Sequence, residues 1–501
     1  MLTIPEFARP VLCSFAPVFY HPTYQRFLVL LLAALLTTGR RTVSNLLRTA
    51  AGLAKGDASS FHRVLSKRRW STLALARILA RFILDHWVPD GPVLVAGDDT
   101  VDEHRGAKVY GKGCHRDPVR STHSYTAFRW GHKWVVLAIL VQFPFATRAW
   151  ALPVLTALYH SPEKAKKAKA PTAKPRRKKA KAKDKTKVQA KERARRKSSA
   201  QARARAKPKT PKRQTKAQLR RLHKTPSELM RQLVLVLTHW FPDRQFVFAG
   251  DGGYGTHALA RFAARRRRRN LTLVSLFYAN AALHDPPPVV VDKKNGRPRK
   301  KGKKRPAPAA VVAATESRER LEVSWYGGGR RPVEVVSGTG HWYKAGEGLV
   351  EVLWVFVHDL TGTHRDSYLF STDPAMPVAQ VIETYTGRWN IETTFQEMRA
   401  YLGLETTRGR TKNTVLRAAP CLFGLYSVVA LLYAALPAET TAEATVNYRG
   451  KAVVTFSDAI SAVRRQLWLE GVFESHGQTE VFRNLPRSLQ AVLLAALAPA
   501  A

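Results

Sequence analysis

Tyr385, Arg388, Glu392 and Arg399 stand at steps of three, four and seven within YTGRWNIETTFQEMR (385–399), so on a helix they share one polar stripe. Ile391, Phe395, Met398 and Leu402 fall at i, i+4, i+7 and i+11 and make an apolar stripe beside it. Two further acids end short apolar runs: Asp99 in VLVAGDDT (93–100) and Asp251 in FVFAGDGGYG. Two or three carboxylates are the oxygen donors that hard divalent cations take, and a pair of such ions can clamp the attacking and leaving oxygens of a phosphodiester displacement. Magnesium or manganese suits this donor set; zinc does not, because soft ligands are missing beside these acids. Taken singly, each acid has an ordinary explanation. Asp98-Asp99-Thr100 can cap a strand, Asp251 can open an Asx-turn before Gly252-Gly253, and Glu392 can pair with Arg388 at i−4. All three together favour a shared site, with Asp98 the nearest rival of Asp99, since alternation along a strand lets only one of the two face the ions.

The elements that must carry these residues read as follows. The chain has 501 residues, 45% hydrophobic, which is enough for two or three domains. Residues 1–90 read as an all-helical domain: FLVLLLAALL (27–36) is too short to span a bilayer and reads as a buried helix, a break follows at Gly39, and Asp57 or Ser59 caps a helix that displays Arg63, Lys67, Arg68 and Arg69. A helix-turn-helix-like DNA reader and a helical bundle with a solvated basic face both fit. From 91 to 160 the period changes to that of strands, in VLVAGDDT and HKWVVLAILVQF (132–143). SELMRQLVLVLTHWF then gives a helix, RQFVFAGDGGYGTHALARF a strand, Gly-rich turn and helix, and LTLVSLFY (271–278) another strand, all within 225–310. Residues 311–373 alternate in short β-runs (RLEVSWY, PVEVVS, HWYKA, LVEVLWVFVHD, DSYLFST). The segment 374–440 holds the Glu392 helix and an apolar core helix, and 441–501 is a C-terminal region. A mixed sheet covered by helices is the expected α/β class.

Charge narrows the partners. Lys+Arg number 83 against 36 Asp+Glu, a net +47, which calls for a polyanion. The tract 161–224 supplies about half of that excess with almost no large apolar residue, and reads as a disordered basic insertion that grips phosphates. Cys13, Cys114 and Cys421 are far apart, which fits a reducing compartment and excludes a disulfide scaffold. Cys114, His115 and His123 do not complete a metal site.

At Tyr385-(2)-Arg388-(3)-Glu392-(6)-Arg399 the chain resembles the DDE transposases of bacterial insertion sequences, in the cut-and-paste branch with a Y-(2)-R-(3)-E-(6)-K signature. Asp-Asp-Thr at the first acid and Asp-Gly-Gly-Tyr-Gly at the second extend the resemblance over about 90–435; the departures are Arg399 for Lys and the long basic tract. The resemblance implies a ribonuclease-H-like fold with a β-rich insertion and an N-terminal helical domain. It implies Asp99, Asp251 and Glu392 as ligands of two Mg2+ (or Mn2+) ions, with Asp99 chosen because the family's ligand precedes the Thr. Arg388 and Tyr385 would hold a phosphate beside the cut, Arg399 the next one, and Arg63, Lys67, Arg68 and Arg69 would bind DNA. Hydrolysis at the element's end would free a 3′-hydroxyl that attacks the opposite strand or target DNA, with Trp325 or Trp342 as candidates to stack a flipped base, although either also fits a core position. Synapsis implies a homodimer on double-stranded DNA, in the bacterial cytoplasm and away from any membrane. A non-catalytic DNA-binding descendant and a structure-specific nuclease or resolvase are the alternatives.

Overall fold

The computed structural model describes residues 4–117, 120–122, 124–161, 223–266, 270–288, 299–446, 449, 451, 453–474 and 477–499. Residues 1–160 and 225–501 form one compact unit. The basic tract expected at 161–224 lies, except for its ends, outside the described residues, as does His123.

The acids lie on the middle of a large mixed sheet. Its first part is β1 (Val93–Glu103), β2 (Gly113–Arg116), β3 (Phe128–Val141), β4 (Trp150–Tyr159), β5 (Phe246–Gly250) and β6 (Leu271–Leu276). β3 is antiparallel to β1 and β4 antiparallel to β3, while β5 runs parallel to β1 and β6 parallel to β5. The order β4-β3-β1-β5-β6 with these directions is the ribonuclease-H-like arrangement. FVFAG in β5 is buried at every residue, as a parallel strand covered on both faces must be.

The sheet does not stop at β6. The inserted β-rich part consists of β7 (Leu283–His284), β8 (Glu319–Ser324), β9 (Arg330–Lys344), β10 (Gly348–Asp359) and β11 (Ser367–Ser371). β11 pairs antiparallel with β6, β10 with β11 and β9 with β10, while β7 and β8 both lie along β9. Among the described residues this makes one eleven-stranded sheet. The two runs PVEVVS and HWYKA are a single strand, β9, which passes through Gly338; a Cβ there would come within 2.9 Å of the Trp354 ring on β10.

Helices close both faces. The N-terminal ones include, after a short turn of helix at Arg9–Ser14, α1 (His21–Leu36), α2 (Val43–Thr49), α3 (Ala58–Ser66) and α4 (Thr72–Trp87). Asp57 caps α3 by accepting from Ser59 N at 2.8 Å. Between β4 and β5 lies α5 (Pro226–Trp240), and after β5 comes α6 (His257–Arg266); following β11 are α7 (Val378–Gly387), α8 (Asn390–Tyr401), α9 (Lys412–Ala434) and α10 (Phe456–Gln466). α9 is apolar nearly all round and is the one helix among the described residues long and apolar enough to cross a membrane; here Phe423, Tyr426 and Val429 are buried in the core against β4. α1 joins the same hydrophobic cluster, so the N-terminal helices share a core with the sheet. Arg417 of α9 fixes this junction: it donates to Val64 O and Leu65 O at the end of α3 and to Trp70 O, with its guanidinium 4.7 Å from the Trp70 ring centroid.

Candidate active site

The register of two strands brings two acids together. β1 and β5 pair in parallel up to Gly97 and Gly250, where β5 ends. Asp98 and Asp251 are the next residue on each, so they begin side by side. β1 itself continues to Glu103, which places Asp98 and Asp99 inside a strand rather than at its tip, and the alternation of a strand therefore applies to them. A Cβ on Gly97 would fall 2.6 Å from Met230, marking that side as the α5 face. Asp99, two residues on, shares that face, and Asp98 takes the opposite one, toward α8.

The third acid comes from the α7–α8 junction. The sequence suggests one helix through 385–399; the structure has two. Near Gly387 the backbone tightens to three-residue hydrogen bonds, Arg388 N to Tyr385 O and Glu392 N to Trp389 O, while Arg388 and Trp389 keep helical dihedrals. Glu392 thus sits in the first turn of α8. Behind it, Ile391, Phe395, Met398 and Leu402 are buried and lock α8 against the core.

Arg388 joins the three acids. Its side chain is 4% exposed. Nη1 donates to Asp98 Oδ2 at 2.9 Å and to Glu392 Oε1 at 3.3 Å, so these two oxygens lie within about 6.2 Å of each other. Nη2 donates to Glu392 Oε1 at 3.3 Å and lies 3.9 Å from Asp251 Oδ1. Asp251 and Glu392 remain 48% and 30% exposed, and Asp251 Oδ2 and Glu392 Oε2 have no partner among the described residues. Burial pushes the Asp98 carboxyl up to about 7, with Asp99 and Asp251 adding to the rise and Arg388 opposing it. Burial raises Glu392 as well, again against Arg388. With all three ionised, three carboxylates against one guanidinium would leave two negative charges uncompensated, the complement of a divalent cation.

Asp99 has a different set of partners. Its Oδ1 is 2.7 Å from Lys133 Nζ and its Oδ2 accepts from the Tyr254 hydroxyl at 3.2 Å. Asp98, not Asp99, is thus the aspartate beside Arg388, Asp251 and Glu392: matching the residue before the Thr ignores which face of β1 looks toward α8.

Residues 14–332 match the DDE superfamily endonuclease family, which is more than half of the sequence. The chain belongs to the DDE superfamily of endonucleases. The match covers Asp98 and Asp251 and ends before Glu392, whose place among the acids rests on the geometry above. No curated protein matches the chain. The chain is also similar, at 10% identity and a TM-score of 0.36 over 96% of its length and 77% of the other's, to the piggyBac transposase in a synaptic complex with hairpin DNA determined by cryo-EM, a likeness too distant to bear on any residue here.

The remaining candidate residues of this DDE-superfamily chain divide. Tyr385 and Arg388 are buried, 7% and 4% exposed; the guanidinium carbon of Arg388 lies 5.6 Å from the Tyr385 ring centroid, so Tyr385 backs the arginine that gathers the acids. Arg399 is not among the acids: its Nη2 donates to Thr100 Oγ1 and its Nε lies 3.4 Å from Glu405, which ties α8 to β1. Arg63, Lys67, Arg68 and Arg69 are exposed at and beyond the end of α3. Trp342 is a core residue, 6% exposed, with its ring against His257, Phe277 and Phe370. Trp325 is half-buried between Tyr326, His364 and Arg331, on the wall of a cavity of about 170 Å³ that Tyr385 also lines. The exposed aromatic beside the acids is one that spacing did not single out: Trp389, 44% exposed, edge-on to Tyr326 at 5.8 Å.

Proposed function

We propose that the chain is a DNA transposase of the cut-and-paste type found in bacterial insertion sequences, which cleaves at the ends of its element and joins the freed ends to new DNA. The observation that carries this reading is the convergence of Asp98, Asp251 and Glu392 on Arg388, together with membership of the DDE endonucleases. The donor set suits Mg2+ or Mn2+: every candidate ligand atom is a carboxylate oxygen, and the two uncompensated negative charges call for a hard cation. Bound divalent ions would supply Lewis-acid stabilisation of the charge that develops on the phosphodiester oxygens. Asp98, Asp251 and Glu392 would hold them.

The protein's own residues do the positioning. The β1–β5 register fixes the two aspartates, and the buried face of α8 fixes Glu392. Arg388 keeps the three carboxylates gathered despite their mutual repulsion. Arg63, Lys67, Arg68 and Arg69 offer cations to the DNA backbone, and the net +47 supplies the long-range attraction. Joining two ends calls for a homodimer on double-stranded DNA, with the bacterial cytoplasm as its setting.

The test incubates the protein with Mg2+ and DNA carrying the ends of its own element, in parallel with Glu392→Gln. Metal-dependent nicking and joined products from the wild type, both absent from the variant, are expected. Nicking without joining would make it a nuclease or resolvase, and intact DNA binding without cleavage in Mg2+ or Mn2+ would remove both catalytic readings.

A further inference from the structure

A second group of metal-ligand side chains lies further along β1. Asp102, His104 and His132 are 0%, 6% and 2% exposed, and one potential ligand atom from each lies within 4.8 Å of the others. Asp102 pairs directly with His132 across the β1–β3 ladder, and His104 follows the end of β1. His104 Nε2 is 3.3 Å from Asp102 Oδ2, and His132 Nδ1 is 3.5 Å from Asp102 Oδ1. The two imidazole rings are 4.4 Å apart, centroid to centroid.

The hydrogen bonding at His132 fixes which of its nitrogens faces Asp102 with a lone pair. Its Nε2 lies 2.9 Å from Tyr110 O. A backbone carbonyl only accepts, so Nε2 carries the hydrogen. In a neutral ring Nδ1 then turns a lone pair toward a carboxylate oxygen, and two lone pairs meet in a buried space. A positive species between them resolves the conflict. A proton on Nδ1 would draw the atoms to the roughly 2.7–2.9 Å of a charge-assisted hydrogen bond. The observed 3.3 and 3.5 Å are longer than that and, within each pair, leave room for a cation bonded to the nitrogen and the oxygen at ~2.0–2.1 Å, the bond length of a zinc site. The outer partners expected around such ligands are present as well: Tyr110 O orients His132, and Trp134 Nε1 donates to Asp102 Oδ2 at 3.3 Å.

We propose that Asp102, His104 and His132 bind one zinc ion through one nitrogen of each imidazole and an oxygen of Asp102, whose Oδ1 also accepts from His132 N at 3.0 Å, with water as the fourth ligand. Imidazole nitrogens separate this centre from the all-oxygen set at Asp98, Asp251 and Glu392. The two also differ in place, since Asp102 is four residues, or about 13 Å, beyond Asp98 on the same strand. Bound there, zinc staples the end of β1, the following segment through Tyr110, and β3. It thereby stiffens the part of β1 that has no β5 beside it and that begins at Asp98.

The experiment measures metal in the tag-free, full-length chain produced with zinc in the medium and dialysed into Mg2+ buffer. About one zinc per chain is expected in the wild type and in Glu392→Gln, and under a tenth of that in His104→Ala and His132→Asn. Cobalt added to the metal-stripped wild type should give the visible absorption bands of four-coordinate Co2+. Should the histidine variants fail to fold, X-ray absorption at the zinc edge of the wild type decides: imidazole scattering supports the site, and an all-oxygen shell overturns it. A folded wild type that retains no zinc and gives no cobalt bands also overturns it, as does loss of the ion in Glu392→Gln but not in His132→Asn.

Discussion

Asp98 and Asp99 are adjacent, chemically identical and oppositely placed, so exchanging each for Asn separates the ligand role from the structural one. Asp98→Asn removes a carboxylate from the set of three and the 2.9 Å partner of Arg388. If it holds a catalytic ion, the loss is several kcal/mol of transition-state stabilisation, and at about 1.4 kcal/mol per decade nicking should fall at least ~1,000-fold. The folded state should not suffer: burial lifts the Asp98 carboxyl to about 7, so the neutral amide relieves an unfavourable charge, and the metal-free melting temperature should hold or rise. Asp99→Asn acts the other way. Its ion pair with Lys133 is partly exposed, the two side chains being 26% and 23% accessible, and is worth about 1 kcal/mol or less. The buried Tyr254 hydroxyl exchanges a charged acceptor for a neutral one, at about 1 kcal/mol. A melting temperature lower by a few degrees and a nicking rate within about tenfold of wild type should result. The assay is nicking of end-bearing plasmid in Mg2+, with melting curves recorded in chelator. Folded Asp98→Asn that nicks normally beside a folded, inactive Asp99→Asn would refute the assignment of faces.

Three more outcomes follow from the same contacts. Arg388→Ala leaves three carboxylates without their buried cation and should cost about 3–5 kcal/mol in chelator, with part of the loss returned by millimolar Mg2+; an equal loss in both buffers would contradict the picture of a cation-seeking cluster. Trp342→Ala should cost about 3–5 kcal/mol of stability, read by denaturant unfolding, because it empties a packed aromatic core, and a stable variant defective only on DNA would show that this placement is wrong. Asp458 begins α10 in a capping box with Thr455 and lies 2.7 Å from Lys451 Nζ; burial pushes its carboxyl up, but the bonds from Lys451 and Thr455 outweigh that and hold it below the usual range. Its contribution is therefore fully present above the unfolded carboxyl value of about 3.9 and disappears as pH falls through the lower folded value, so the stability lost in Asp458→Asn should be largest near pH 7 and shrink steadily as pH falls below that unfolded value. A pH-independent difference between the two melting curves would contradict this.

The local patterns in the chain carry far. Apolar runs predicted β1, β3, β5 and β6, and a helical period of apolar residues predicted the buried face of α8, because burial acts residue by residue. The positions of Asp251 just past a strand and of Glu392 on a helix were legible for the same reason: each is tied to a short element whose neighbours are local. What escaped depends on contacts between distant segments. Alternation says that Asp98 and Asp99 differ, but only the packing of α8 on one side of β1 says which of them meets Glu392. Arg399 shares the helical stripe of Glu392, yet it reaches Thr100 and Glu405, partners no spacing rule names. The pairing of Asp102 with His132 joins residues thirty apart, so DEH after the Thr gave no warning of a histidine–carboxylate cluster. Trp342 takes the core position, one of the two readings open to it, because Phe277 just after β6 and Phe370 on β11 cover its ring.

The seam between β6 and β11 has an evolutionary consequence. An insertion tethered only at its two ends could be shed or swapped like a cassette, leaving its host intact. This one is knitted in along its flank, at Leu276 to Leu369 and Val274 to Ser371. Excising it would bare the amides and carbonyls of a hydrophobic strand, an invitation to fibril-like stacking between copies. Any descendant that lost the module would first have to acquire some new cover for that border, so lineages should vary its outer loops far more readily than its presence.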